Sequence, residues 1–191
     1  DKVEHHGDHF SIAGIGASIK PKRPGGPPIW IGGDVIPAVK RAAKFGCPWI
    51  IPPTMAFEDI SVRMAAYEQT VQSLGREKVN GQPLIRELVI GRTKQEAIGV
   101  AGKSLLEKYE SYANWGQTDT KKERTLSDSF DEFCQDRFII GDEHEVVDEI
   151  LRYKESFGVD DFLVRIQWPG LGQSEVLKTL DRLGKISSMI C

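Results

Sequence analysis

Short apolar runs alternate with longer amphipathic segments along most of the chain. Ile29-Trp30-Ile31 is the first run, closed by Gly32-Gly33. After it, apolar residues at Ile36, Val39, Ala42 and Ala43 predict a helix from about Val35 to Phe45, stopped by Gly46. Trp49-Ile50-Ile51 is a second run, ended by Pro52-Pro53, and Glu58 to Leu74 reads as a helix that Gly75 stops. Leu84 to Ile90 reads as a third strand and Lys94 to Tyr112 as a helix. Asp142, with Glu145 three positions on, has the form of an N-cap and its reciprocal acid. The stripe that follows is Val146, Val147, Ile150 and Leu151, and Gly158 ends it. Phe162 to Trp168 is the fourth strand, and a last helix, about Ser174 to Ile186, spaces Leu177, Leu180 and Leu183 along one face.

Two stretches depart from this rhythm. Residues 1–28 are rich in Gly and Pro, ending in Pro21-Lys22-Arg23-Pro24-Gly25-Gly26-Pro27-Pro28, and predict an extended connector with at most a short edge strand at His9-Phe10-Ser11-Ile12. Residues 114–136 are highly charged and only weakly periodic. The remainder, 29–191, reads as strand–helix units, hence an α/β fold with a parallel sheet covered by helices. Four units are half of a (β/α)8 barrel, and they are also enough for a small open doubly wound sheet. Pattern alone leaves both open.

Composition narrows the partners. The hydrophobic fraction is 40% and the charged fraction 28% of 191 residues, which permits a packed core. A net charge of −3 provides no basic excess for nucleic acid or an anionic membrane surface. The basic patches Lys20-Pro21-Lys22-Arg23 and Lys121-Lys122-Glu123-Arg124 are short and interrupted, as on a solvated surface. Three scattered cysteines, Cys47, Cys134 and Cys191, form neither a disulfide framework nor a zinc motif and fit a reducing, cytoplasmic setting. No apolar run has the length of a membrane span, and the polar start, Asp1-Lys2-Val3-Glu4, lacks a secretory signal. Because the chain opens on Asp, it is expected to be the trailing part of something longer.

Candidate chemistry is confined to a few places. Gly32-Gly33-Asp34-Val35 carries a strand into a helix N-terminus, where backbone amides favour an anion; the alternative is a tight turn with Asp34 as N-cap. Along Phe162–Trp168, residues Phe162, Val164, Ile166 and Trp168 share one face and Leu163, Arg165 and Gln167 the other. In a barrel the apolar face meets the helices, which aims Arg165 and Gln167 into the lumen near its C-terminal mouth. A buried guanidinium there needs an acceptor, either a ligand oxygen or a structural carboxylate, and one of Arg86 and Glu87 should face the same way. Trp49, Pro52 and Pro53 end the second strand, where Trp49 serves as a pocket wall or as core. Trp49, Arg165, Gln167 and, at the strand's end, Trp168 form the expected substrate pocket. His5, His6, Asp8 and His9 lie within five residues, but in a terminal segment, and no metal is expected there. No Ser/His/Asp set, phosphate-binding P-loop or GxGxxG occurs.

Several of these segments, in order and spacing, resemble the luciferase-like flavin-dependent monooxygenase family. They are His6-Gly7-Asp8-His9-Phe10 with Pro21, Pro27-Pro28-Ile29-Trp30-Ile31-Gly32-Gly33, Arg41-Ala42-Ala43-Lys44-Phe45-Gly46, and Arg86-Glu87-Leu88-Val89-Ile90. To these are added Ile140-Gly141-Asp142-Glu143-His144-Glu145-Val146 and Phe162-Leu163-Val164-Arg165-Ile166-Gln167-Trp168-Pro169-Gly170. The resemblance implies a TIM-type barrel of which this chain holds only the last four units, with residues 114–136 as an insertion or lid. It implies an oxidoreductase using reduced FMN and oxygen on a small organic substrate, with a flavin reductase as a possible partner. The deazaflavin F420 is the rival cofactor, and a non-catalytic flavin-binding or interaction half-barrel is the third reading. The flavin phosphate would sit at Gly32, Gly33, Asp34 and Val35, although the family often has a hydroxyl residue where this chain has Asp34, and Pro37 lacks an amide. The chemistry belongs to the cofactor, so no catalytic side chain is singled out. A half-barrel exposes two strand edges, so a homo-oligomer is expected.

Overall fold

The computed structural model describes residues 2–77, 79, 81–116 and 130–190, without the side chains of Asp131 and Glu132. It begins with a hairpin, β1 (Val3–His6) and β2 (Ser11–Ile15). There follow β3 (Ile31–Gly32), α1 (Ile36–Phe45), β4 (Trp49–Ile50), α2 (Phe57–Ser73), β5 (Pro83–Ile90) and α3 (Lys94–Asn114). The last elements are α4 (Phe130–Cys134), β6 (Ile139–Gly141), α5 (Glu143–Phe157), β7 (Asp161–Arg165) and α6 (Gln173–Ile190).

Every pairing after the hairpin is parallel. Ile31 lies opposite Trp49, and Ile51 bridges to Leu84. On its other edge β5 pairs with β7, from Pro83 opposite Asp161 to Glu87 opposite Arg165. The four strands expected from the pattern are therefore neighbours in their expected order, and the α/β class with parallel strand–helix units holds. β6 is an additional strand. It joins β5 beyond the Ile51 bridge, with Leu88 opposite Ile139 and Ile90 opposite Gly141. Three residues abutting a helix cap carry too little periodicity to be read from sequence.

Local signals explain the helix ends. Asp142 accepts from the amides of His144 and Glu145, and the Glu145 side chain returns to the Asp142 amide, closing the capping box. Gly158 ends α5 in the left-handed conformation, at φ 65°, as Gly46 does for α1.

β5 divides the core. Leu84, Leu88 and Ile90 face one side, against α1, α2, α5 and α6, through Met64, Tyr67, Ile150 and Ile186. Val89 faces the other side, against Ala97, Ala101, Leu105 and Tyr109 of α3 and Phe133 of α4. The sheet thus has helices on both faces. α3 occupies part of the side that a barrel would turn toward its lumen.

Several expectations need correction. Residues 1–28 are not simply a connector, because the turn at Gly7, whose amide donates to the Phe10 carbonyl at 3.1 Å, folds 3–15 into an antiparallel hairpin. β3 is shorter than 29–32, with Ile29 and Trp30 exposed. β7 stops at Arg165, so the alternation does not reach Trp168, which turns to the α3 side. On α6 the buried positions are Val176, Thr179 and Ile186, while Leu177 and Leu180 face solvent. Most of the expected insertion, 117–129, lies outside the described residues; its flanks extend α3 to Asn114 and form α4.

Candidate active site

The turn after β3 is shaped by its neighbours. Gly33 has φ 138°, and a Cβ there would stand 2.5 Å from the Cβ of Ala38, so only glycine fits. The Gly33 carbonyl accepts from the Trp49 indole at 2.8 Å, and the Asp34 carbonyl accepts from Nε of Arg63. Both acceptors of the turn are thereby occupied. Val35, not Asp34, is the N-cap, with no side-chain cap bond, and the first helical amides, Ala38 and Val39, both donate to the Val35 carbonyl. The amides of Asp34, Val35 and Ile36 precede that first bond, as at any helix N-terminus. The exposed Asp34 side chain is thus not needed to hold the helix.

Trp49 itself is fully buried among Ile51, Ile60, Tyr67 and Leu84, and its own amide donates to Oε1 of Gln82 at 2.8 Å. Its place is the core beneath the turn. Arg63, on α2, was not singled out from sequence, because an arginine four residues after Asp59 reads as an ordinary surface pair. That pair does form, at 3.5 Å.

The second cluster gathers on β5 and β7. Register and alternation put Glu87 and Arg165 side by side on one face. Glu87 is fully buried and accepts from Nζ of Lys108 at 2.7 Å, from the Tyr109 hydroxyl at 2.8 Å and from Nη2 of Arg165. The acceptor that Arg165 required is therefore a structural carboxylate. Burial pushes the Tyr109 phenol far above its ordinary range, and the adjacent Glu87 charge pushes the same way, so the phenol stays a donor. Trp168, 4% exposed, donates its indole N–H to Oγ of Ser104 at 3.0 Å. Nζ of Lys108 lies 5.5 Å from its ring. Gln167 is exposed.

Arg86 points to the opposite face and is also fully buried. Its guanidinium donates to the carbonyls of Pro52, Met55 and Ile85 and to the Tyr153 hydroxyl, at 2.9 to 3.2 Å. It fastens the loop after β4. The expected pocket residues are not brought together: Trp49 lies under the glycine turn, whereas Arg165 and Trp168 meet α3 at Tyr109 and Ser104. A separate cleft of about 590 Å³ opens among Lys94, Cys134, Asp136, Phe138, Glu145 and Arg152, and none of the expected site residues lines it.

Parallel strands, each followed by a helix, make this an α/β fold of strand–helix units. The family model for luciferase-like monooxygenases matches residues 1–161, and the chain belongs to that family. A monooxygenase, RslO1, from Streptomyces bottropensis superposes with a TM-score of 0.75 at 14% identity, covering 97% of this chain and 54% of its own. The oxygenating constituent of 3,6-diketocamphane monooxygenase from Pseudomonas putida, solved with FMN, gives 0.72 at 16% identity, covering 97% and 57%. The coenzyme F420-dependent tetrahydromethanopterin reductase of Methanopyrus kandleri gives 0.69 at 16%, covering 96% and 56%. At these identities the likeness is one of fold, and the chain spans little more than half of each structure. No curated protein matches it.

Proposed function

We propose that residues 29–191 are the C-terminal half of a TIM-type barrel, and that the whole protein is a flavin-dependent monooxygenase acting on a small organic molecule. The observation that carries this reading is the turn after β3. Trp49 and Arg63 occupy its two carbonyls, Asp34 is released from capping, and three backbone amides precede the first helical bond. Those residues fit a flavin phosphate, with Arg63 adding a nearby positive charge against the cost of Asp34. When bound, reduced FMN would supply the electrons and the reaction with oxygen. The protein's part is to hold the phosphate at Gly32–Ile36, to keep the loop after β4 rigid through Arg86, and to bound the substrate space with Arg165 and Gln167.

The same turn suits the phosphate of F420, and the likeness to F420-dependent enzymes, which include a secondary alcohol dehydrogenase solved with an F420–acetone adduct, favours that alternative. Mass spectrometry of the cofactor released from the whole protein separates the two. Flavin fluorescence titration tests both: FMN should bind more tightly than riboflavin, and Arg63→Ala should narrow that difference. Equal affinity for the two flavins would remove the phosphate from this turn. The open edges of β3 and β7 support a homo-oligomer, and a reductase supplying reduced flavin is the matching partner for the FMN reading.

A further inference from the structure

The Glu87 cluster holds more positive charge than its own packing requires. Glu87 receives two cations, Lys108 and Arg165, together with the Tyr109 hydroxyl. One position earlier, Arg86 points to the opposite face, where its hydrogen bonds go to carbonyl and hydroxyl oxygens. On the Glu87 face two cations therefore share one carboxylate. In a medium of low effective dielectric such an excess is costly unless an anion answers it.

Only one of these cations reaches the surface appreciably. The Arg165 side chain is 32% exposed, against 10% for Lys108. Its Nη2 serves Glu87 and lies 3.5 Å from the Tyr109 oxygen, while its Nε is buried with no hydrogen-bond partner among the described residues. Arg165 is the last residue of β7, at the C-terminal end of the strand. Leu163 shares its face and is 37% exposed, and Gln167, two residues beyond the strand, is exposed as well. Glu87 keeps Lys108 and Tyr109 whatever the free side of the guanidinium does, so Arg165 can take a second acceptor without leaving the carboxylate unpaired.

We propose that Arg165 is an anion subsite, taking a carboxylate or phosphate oxygen of the substrate, with Glu87 as the residue that positions the guanidinium and Gln167 as a neighbouring donor. This rests on the reading of the protein as a cofactor-dependent oxidoreductase for the word substrate, though not for the anion itself. The substrate class it implies is a small organic acid or phosphate ester, not a plain hydrocarbon. The flavin phosphate is assigned to the turn after β3, on a different strand.

Inorganic phosphate is the probe, titrated into the isotope-labelled protein while the Arg165 Nε–H resonance is followed; its burial slows exchange with water enough to keep it visible. Saturable shifts of that proton and of the 163–167 amides are expected. Leu163→Glu leaves the Glu87 cluster intact but sets a negative charge on the same face, and should weaken phosphate by about fivefold. Arg165→Lys should weaken it as well, and Lys178→Ala should not. Absence of a saturable shift, or indifference to Leu163→Glu, overturns the subsite. Displacement of the phosphate by FMN but not by riboflavin would assign the anion to the cofactor and overturn the substrate class. A protein that binds phosphate here yet takes up no flavin would sink the cofactor reading and leave the subsite standing.

Discussion

Glu87 and Arg165, 78 positions apart, lie opposite each other on adjacent parallel strands and bond through their side chains on a single face. Removing the carboxylate leaves Lys108 and Arg165 with uncancelled charge. Glu87→Gln should cost about 3 kcal/mol in denaturant unfolding, because a broken buried pair strands its partners. Adding Arg165→Met should recover part of that loss, and a double-mutant cycle reads the coupling. Additive losses would mean that the two side chains act independently.

Arg86 ties the loop after β4 to the sheet. Arg86→Met leaves the carbonyls of Pro52 and Met55 buried without donors and should cost about 3 kcal/mol. Tyr153→Phe, which removes the bond from the same guanidinium and the one donated to the Asp136 carbonyl, should cost about 2 kcal/mol. Hydrogen exchange of residues 54–57 should accelerate in the first variant and stay close to normal in the second.

Trp49→Phe keeps an aromatic ring in the core and deletes the indole N–H on Gly33. The lost bond should destabilise by about 1 kcal/mol, with a further penalty for the smaller ring. The turn carbonyl is then released. FMN affinity of the whole protein should fall while riboflavin affinity changes little, as paired fluorescence titrations can show.

Alkaline stability should carry the signature of buried phenols. Burial raises the pKa of Tyr109, Tyr153 and Tyr67 above the ordinary value of 10.0. A raised group stabilises the fold fully below the unfolded pKa and loses that contribution as pH climbs beyond it. Above pH 10 the unfolded chain releases its phenol protons while native Tyr109 retains its own, so stability should fall by up to about 1.4 kcal/mol per pH unit for Tyr109, with Tyr153 and Tyr67 acting in the same direction. Unfolding midpoints between pH 9 and 11 test this, and Tyr109→Phe should flatten the slope.

Sedimentation across a concentration series should show association, since β3 and β7 each pair along a single edge among the described residues. A monomer at every concentration would mean that other chain covers those edges.

Local chemistry made much of the fold legible. Gly46 and Gly158 stop helices where the left-handed conformation is needed, and Asp142 with Glu145 closes a cap that four residues of sequence reveal. β3 and β4 were placed by apolar runs bounded by Gly32-Gly33 and Pro52-Pro53. β6 was not legible, because three residues hold no period. The hairpin at 3–15 was legible only as a short edge strand at 9–12, since neither of its strands has a buried face. The site was legible by residue and not by arrangement. Arg165 could be marked as needing an acceptor and Glu87 named as a candidate, but Lys108 and Tyr109 looked like ordinary helix residues. They join the cluster only because α3 folds back along β5, and nothing in a helical period announces which face of a sheet it will cover. Arg63 escaped for the same reason.

The order in which the chain is synthesised gives the β5 cluster a temporal meaning. Arg86 and Glu87 emerge with β3, β4, α1 and α2 already made, yet the Glu87 partners follow 21, 22 and 78 residues later, and Tyr153 follows Arg86 by 67. Arg86 finds the Pro52, Met55 and Ile85 carbonyls in chain already made, whereas Glu87 has no cation until Lys108 of α3 arrives. Burying that face of β5 earlier would strand a carboxylate, so its chemistry favours sealing the face only with α3 in place.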